Sequence, residues 1–104
     1  MSSLVNMFHI LFVAPLFYII GTQEYRDLIN PTFLASIGVG VLLYHLYRLF
    51  TKGFNLINLF HVVFVGPFLI HLAYNPTSTS LLLARYLSGF ILGFHLVRLM
   101  MKML

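Results

Sequence analysis

Long apolar runs alternate with short polar breaks along this sequence. Four runs approach the roughly 20 residues that an α-helix needs to cross a hydrocarbon core about 30 Å thick. They cover about residues 4–20, 32–50, 56–73 and 80–103. Transmembrane β-strands show short alternating segments instead of unbroken runs. The pattern therefore predicts an all-α membrane protein with four transmembrane helices.

The polar breaks have the chemistry of turns. Residues 21–31 begin with Gly21 and end with Pro31, and residues 75–80 read N-P-T-S-T-S, which offers caps for the fourth helix. The short break at 51–55 contains Gly53 and favours an antiparallel hairpin of the second and third helices. No basic residue precedes the first apolar run, so we expect a retained helix and not a cleaved signal.

The chain also contains an internal repeat. Residues 4–17 read LVNMFHILFVAPLF and residues 56–69 read LINLFHVVFVGPFL, while residues 41–50 and 91–100 read VLLYHLYRLF and ILGFHLVRLM. Matching Asn, His, Pro and Arg at equal spacing indicates duplication. We expect one domain, 1–104, made of two tandem helical-hairpin repeats in parallel orientation, 1–53 and 54–104.

Composition supports a lipid environment. Of the 104 residues 61% are hydrophobic and 8% are charged, and the mean hydropathy is +0.98. Soluble domains carry about 25% charged residues, so this chain would expose large apolar patches in water. No cysteine is present, which excludes disulfides and thiolate sites.

The basic residues predict an orientation. Arg48 and Lys52 flank the second break and Arg98 and Lys102 lie near the C-terminus, whereas the other side has Arg26 and Arg85. The positive-inside rule places both termini on the cytoplasmic side or its equivalent.

A polar layer accompanies the repeat. At a rise of about 1.5 Å per residue, the repeated histidines lie roughly 8–9 Å inside one membrane face. Each has a polar companion three residues away on the same helix face. The pairs are Asn6 with His9, Asn58 with His61, His45 with Arg48, and His95 with Arg98.

Three interpretations of this layer remain open. The histidines and asparagines can hold the helices in register through hydrogen bonds, while the arginines reach lipid phosphates. Alternatively, two histidines from facing helices, among His9, His45, His61 and His95, bind a b-type haem as axial ligands. Binding of a transition metal or relay of protons is the third interpretation.

Two further sets of residues concern helix geometry. Pro15 and Pro67 fall within their helices and predict kinks, because each removes a backbone hydrogen bond. Small residues at four-residue spacing predict close helix packing. They are Ser36 with Gly40, Ala84 with Ser88, and Gly89 with Gly93.

Catalytic signatures are absent from the sequence. It has no Walker loop, H-E-x-x-H or nucleophile elbow, and its single Glu and single Asp share one loop. We therefore expect no enzyme. A channel or small transporter is a weaker alternative, because the middle of the helices is almost wholly apolar.

The segments N-M-F-H-I-L-F-V-A-P and N-L-F-H-V-V-F-V-G-P, with Y-H-L-Y-R and F-H-L-V-R, resemble short hydrophobic membrane proteins of large DNA viruses of algae and protists. The resemblance implies a location in the membrane beneath a viral capsid and no catalytic residues. We expect a structural membrane protein that packs with other membrane or capsid proteins or with further copies of itself, and no nucleic-acid partner. The polar loop 23–30 is the expected partner contact.

Overall fold

The computed structural model describes residues 3–22 and 27–103, and it contains four helices in this part of the chain. Each is long and apolar enough to cross a membrane. Every boundary lies within two residues of its prediction. The helices are α1 (Ser3–Gly21), α2 (Pro31–Lys52), α3 (Leu56–Tyr74) and α4 (Ser78–Met103).

Asparagine side chains fix where α2 and α3 begin. Asn30 Oδ1 accepts hydrogen bonds from the backbone N–H groups of Thr32 and Phe33, at 2.8 and 3.2 Å. Asn55 caps α3 in the same way, through Ile57 at 2.8 Å and Asn58 at 3.1 Å. Each cap satisfies N–H groups that have no partner within the helix.

The turn between α2 and α3 depends on a glycine. Gly53 follows the last residue of α2 and has a φ of 85°. Residues with a Cβ rarely adopt this conformation. The predicted break at 51–55 is therefore a tight connection, and α2 and α3 form the antiparallel hairpin that its shortness predicted.

A widened π-helical turn precedes each internal proline. It spans His9–Val13 in α1 and His61–Val65 in α3. The backbone N–H groups of Ala14 and Gly66 reach back five residues, to the carbonyls of His9 and His61. Proline cannot donate to the carbonyl four residues earlier, and π-turns are a known cause of helix kinks. Kinks were predicted at Pro15 and Pro67, and the structure shows a wide turn immediately before each proline.

The helices form two compact units, each an antiparallel pair. One unit combines α1 with α4, and the other combines α2 with α3. Each unit therefore contains one helix from residues 1–53 and one from residues 54–104. We call them the α1–α4 unit and the α2–α3 unit.

Close backbone approach is the main feature of packing in the α2–α3 unit. A Cβ built on Gly38 would lie 2.9 Å from the carbonyl oxygen of Gly66, and one built on Gly66 would lie 2.9 Å from Leu42 Cβ. The buried apolar residues of this unit are Leu34, Ala35, Leu69, Leu72 and Ala73. Glycine at both positions lets the two helices come this close.

The α1–α4 unit has a similar close approach where α1 ends and α4 begins. A Cβ on Gly21 would lie 2.6 Å from the carbonyl oxygen of Leu81. Its buried apolar residues are Ala14, Phe17, Ile20 and Ala84.

Most apolar side chains of both units point outward. Between 17% and 28% of the most apolar 18-residue window in each helix is buried. The remaining faces carry exposed Leu, Val, Phe, Tyr and Met side chains. Such faces need an apolar solvent or a protein partner to cover them.

Candidate functional site

A stacked histidine pair lies in the α1–α4 unit. The rings of His9 and His95 have centroids 4.2 Å apart and an interplanar angle of 21°. His95 is buried and its Nδ1–H donates to Asn6 Oδ1 across the helices at 2.9 Å. This hydrogen bond joins the first turns of α1 to the last turns of α4.

Asn6 is the most deeply buried polar residue of this unit, with 0% of its surface exposed. Its Nδ2 has no hydrogen-bond partner among the described residues. His9 is oriented by its own helix, since its Nδ1–H donates to the Val5 carbonyl at 2.8 Å. Asn6 therefore accepts one cross-helix hydrogen bond through Oδ1. Its buried Nδ2 group donates no hydrogen bond to the described residues, which costs free energy in an apolar environment.

The α2–α3 unit contains the second histidine pair. His45 and His61 stack with centroids 4.1 Å apart and an interplanar angle of 6°. Each Nδ1–H donates to a carbonyl four residues earlier on its own helix, Val41 at 2.9 Å and Ile57 at 2.6 Å. Both rings are half-buried.

An aromatic residue precedes each of the four histidines and packs edge-to-face against it. The interplanar angles lie between 85° and 89°. These aromatic–histidine dipeptides were not predicted as functional, although the chain shows them at equivalent places in both repeats. They are Phe8–His9, Tyr44–His45, Phe60–His61 and Phe94–His95.

The companions of the histidines have unequal roles. Asn6 bonds to His95, whereas Asn58 is half-buried and its backbone N–H is capped by Asn55. Arg48 and Arg98 are half-buried, and neither has a hydrogen-bond or ion-pair partner among the described residues. The fifth histidine, His71, stacks on Phe68 with centroids 6.3 Å apart.

The predicted small-residue contacts divide into two groups. Ala84 and Ser88 are buried, and Ser88 Oγ donates to the Ala14 carbonyl of α1 at 2.7 Å. By contrast, a Cβ built on any of Gly40, Gly89 and Gly93 meets no described atom within 4 Å.

Ser36 also makes no described contact of the predicted kind. It is exposed, and its hydroxyl donates to Thr32 within α2 at 2.8 Å. The close contacts use Gly21, Gly38 and Gly66 instead. Extending the repeat at the same spacing aligns Gly38 with Ser88 and Gly66 with Ala14, and this signal could have found them.

The donor set does not fit a haem between the two rings of either pair. Axial imidazoles bind a metal through in-plane lone pairs at about 2 Å on each side. The paired rings instead face each other at 4.1 and 4.2 Å. The described residues also hold no group of three or more His, Cys, Asp or Glu side chains that could bind a metal ion.

No protein-family model, curated protein or solved structure matches this chain.

Proposed function

We propose that this chain is a structural integral membrane protein that packs laterally in the bilayer and anchors partner proteins there. The observation that carries the proposal is the use of its buried polar groups. His95 and Ser88 of α4 both donate hydrogen bonds to α1, at 2.9 and 2.7 Å. These groups hold helices together, which is the role of a scaffold.

Polar contacts matter in a bilayer because lipid tails are as apolar as leucine. Helices in lipid gain no hydrophobic driving force from pairing, and cross-helix hydrogen bonds contribute about 0.6–2 kcal/mol each. The exposed apolar faces of both units would then face lipid or a partner. Such an arrangement needs no substrate pocket and no catalytic group.

Duplication of a two-helix segment is part of the proposal. Equivalent positions make equivalent contacts in the two units: His9 with His95 and His61 with His45. Ala14 with Ser88 and Gly66 with Gly38 form a second equivalent set. This correspondence supports two repeats, 1–53 and 54–104, whose helices pair across the repeats.

The proposed setting is a membrane with both termini on the cytoplasmic or equivalent side, as the basic residues predict. The resemblance to proteins of large DNA viruses suggests the membrane beneath a viral capsid. The loop 23–30 would bind the capsid or membrane partner, and residues 23–26 of this prediction lie outside the described residues.

Alkaline extraction combined with chemical cross-linking tests the scaffold. Full-length protein should stay in carbonate-washed membranes and should cross-link to itself or to a defined neighbour. Release into the carbonate supernatant would contradict membrane insertion, and a purely monomeric pattern in native membranes would contradict the scaffold.

A haem- or metal-binding protein is the competing proposal. One observation favours it: His9, His45 and His61 each donate Nδ1–H to a backbone carbonyl, as metal-bound histidines commonly do. The pairs would have to separate to bind a haem. An absorption spectrum and metal analysis of gently purified protein decide between the two, since a Soret band or stoichiometric metal would replace the scaffold proposal.

A further inference from the structure

Each unit has a basic end. Arg48 and Lys52 lie in the last turns of α2, and Arg98 and Lys102 lie in the last turns of α4. In each unit this is also the end at which the partner helix begins. The sequence contains two acidic residues, and Asp27, the one within the described residues, lies at the opposite end of α1 and α2.

The arginines are placed to reach a membrane surface from within the apolar helix. Arg48 is four residues before Lys52, a distance of about 6 Å along the helix axis. Arg98 has the same relation to Lys102. Both lysines are exposed, whereas both arginines are half-buried. A long side chain at this depth extends toward the head groups.

The guanidinium groups of Arg48 and Arg98 can donate hydrogen bonds to a ligand. Neither Arg48 nor Arg98 has a hydrogen-bond or ion-pair partner among the described residues. Guanidinium presents five N–H donors in a fork that matches the oxygens of a phosphate. The lysine four residues later adds a second positive charge on the same helix face.

We propose that each basic end binds the phosphate head group of an anionic phospholipid, with Arg48 and Lys52 forming one site and Arg98 and Lys102 the other. The inference rests on the proposed membrane insertion and adds a lipid class to it. The α2–α3 site also presents exposed tyrosines at Tyr44 and Tyr47, which suit the head-group region.

Lipid retention by the full-length protein tests the proposal. The protein is reconstituted in phosphatidylcholine vesicles containing phosphatidylglycerol and gently extracted, and the retained lipids are measured by mass spectrometry. Wild-type protein should retain phosphatidylglycerol above its starting share. Arg48→Gln and Arg98→Gln should each lower the retained excess of phosphatidylglycerol by about half, because the other site remains, and the double variant should lower the preference about fivefold.

Arg85→Gln is the matched control, because it removes one positive charge from the opposite end of α4. It should leave the preference unchanged, and an equal loss in this variant would overturn a localised site. Increasing sodium chloride should weaken the preference of the wild-type protein without any substitution. A preference that withstands salt would contradict the charge-based site even if the variants failed to fold.

Two further measurements distinguish a lipid site from a free-phosphate site and from membrane insertion without lipid preference. Inorganic phosphate at matched ionic strength should not displace phosphatidylglycerol more than chloride does, and stronger displacement would indicate a free-phosphate site instead of a lipid site. Protein that stays in carbonate-washed vesicles without any lipid preference would refute this inference and leave the proposed function standing.

Discussion

The α1–α4 and α2–α3 units use related sequences to join two helices in different ways. In the α1–α4 unit, Ser88 donates to Ala14 and His95 donates to Asn6. At the positions equivalent to Ser88 and Ala14, the α2–α3 unit has two glycines whose backbones nearly touch. One unit therefore combines packing with directional hydrogen bonds, and the other depends on the absence of side chains.

These two kinds of contact determine which substitutions each unit should tolerate. A close backbone contact fails when volume is added, because neither helix can move without losing the rest of the interface. A cross-helix hydrogen bond fails when one partner is removed and the other stays buried. Added side-chain volume should thus destabilise the α2–α3 unit most. Removal of a hydrogen-bonding side chain should destabilise the α1–α4 unit most.

Gly38→Ile should have the largest effect. The added side chain would meet the Gly66 carbonyl at 2.9 Å, and we expect a loss of about 3 kcal/mol in unfolding free energy. Gly40→Ile is the control on the same helix, where a Cβ meets no described atom within 4 Å. The unfolding free energies of both variants are measured in mixed detergent with increasing dodecyl sulfate, with circular dichroism as the readout. Equal losses in the two variants would show that the glycine contact does not set stability.

His95→Phe should have an intermediate effect. It leaves Asn6 buried with neither its oxygen nor its Nδ2 bonded, and we expect a loss of about 1–2 kcal/mol. His45→Phe should cost less, since the Nδ1–H of His45 bonds to its own helix. The same unfolding assay compares them, and a larger loss for His45→Phe would reverse the proposed contrast between the units.

A double-mutant cycle measures the energetic coupling between Asn6 and His95. Asn6→Leu alone leaves the Nδ1–H of His95 without its acceptor, whereas Asn6→Leu combined with His95→Phe removes both polar partners. The double variant should therefore lose less than the sum of the single losses. Additive losses would mean that the two side chains act independently.

Ser88→Ala should have the smallest of the three effects, about 0.6 kcal/mol, because it removes one hydrogen bond and little volume. Ser36→Ala is its control, since that exposed hydroxyl bonds within its own helix. The control should change unfolding by less than about 0.5 kcal/mol. If Ser36→Ala lowered the unfolding free energy as much as Ser88→Ala, the cross-helix hydrogen bond to Ala14 would not contribute measurably to stability.

Much of the fold could be predicted because the length of an uninterrupted apolar run is a strong signal for a helix. The four helices and the α2–α3 hairpin follow from run length and Gly53. The chemistry of Pro15 and Pro67 predicted kinks, and the structure shows a wide turn before each proline. The histidines were predicted to lie in one layer, and the structure brings them together as stacked pairs within each unit.

The pairing of helices could not be predicted from the same signals. The repeats show which residues are equivalent, but equivalence does not say whether α1 packs with α2 or with α4. The choice depends on complementary pairs such as Ala14 with Ser88, which become visible only when the helices are placed together. For the same reason, the motif Gly89–Gly93 predicted close packing of α4, whereas the close contacts of α4 with α1 are at Gly21 and at Ser88.

The wide turn in α1 also sets the rotational phase of this helix. A regular helix turns about 100° per residue, so positions eight residues apart would differ by about 80° around the axis. Asn6 and Ala14 have this spacing, yet both face α4. The His9–Val13 turn absorbs about one residue of rotation and returns the two contacts to a common face. The proline-linked turn of α1 thus lets a polar contact and a small-residue contact that would lie on different faces of a regular helix serve one helix interface.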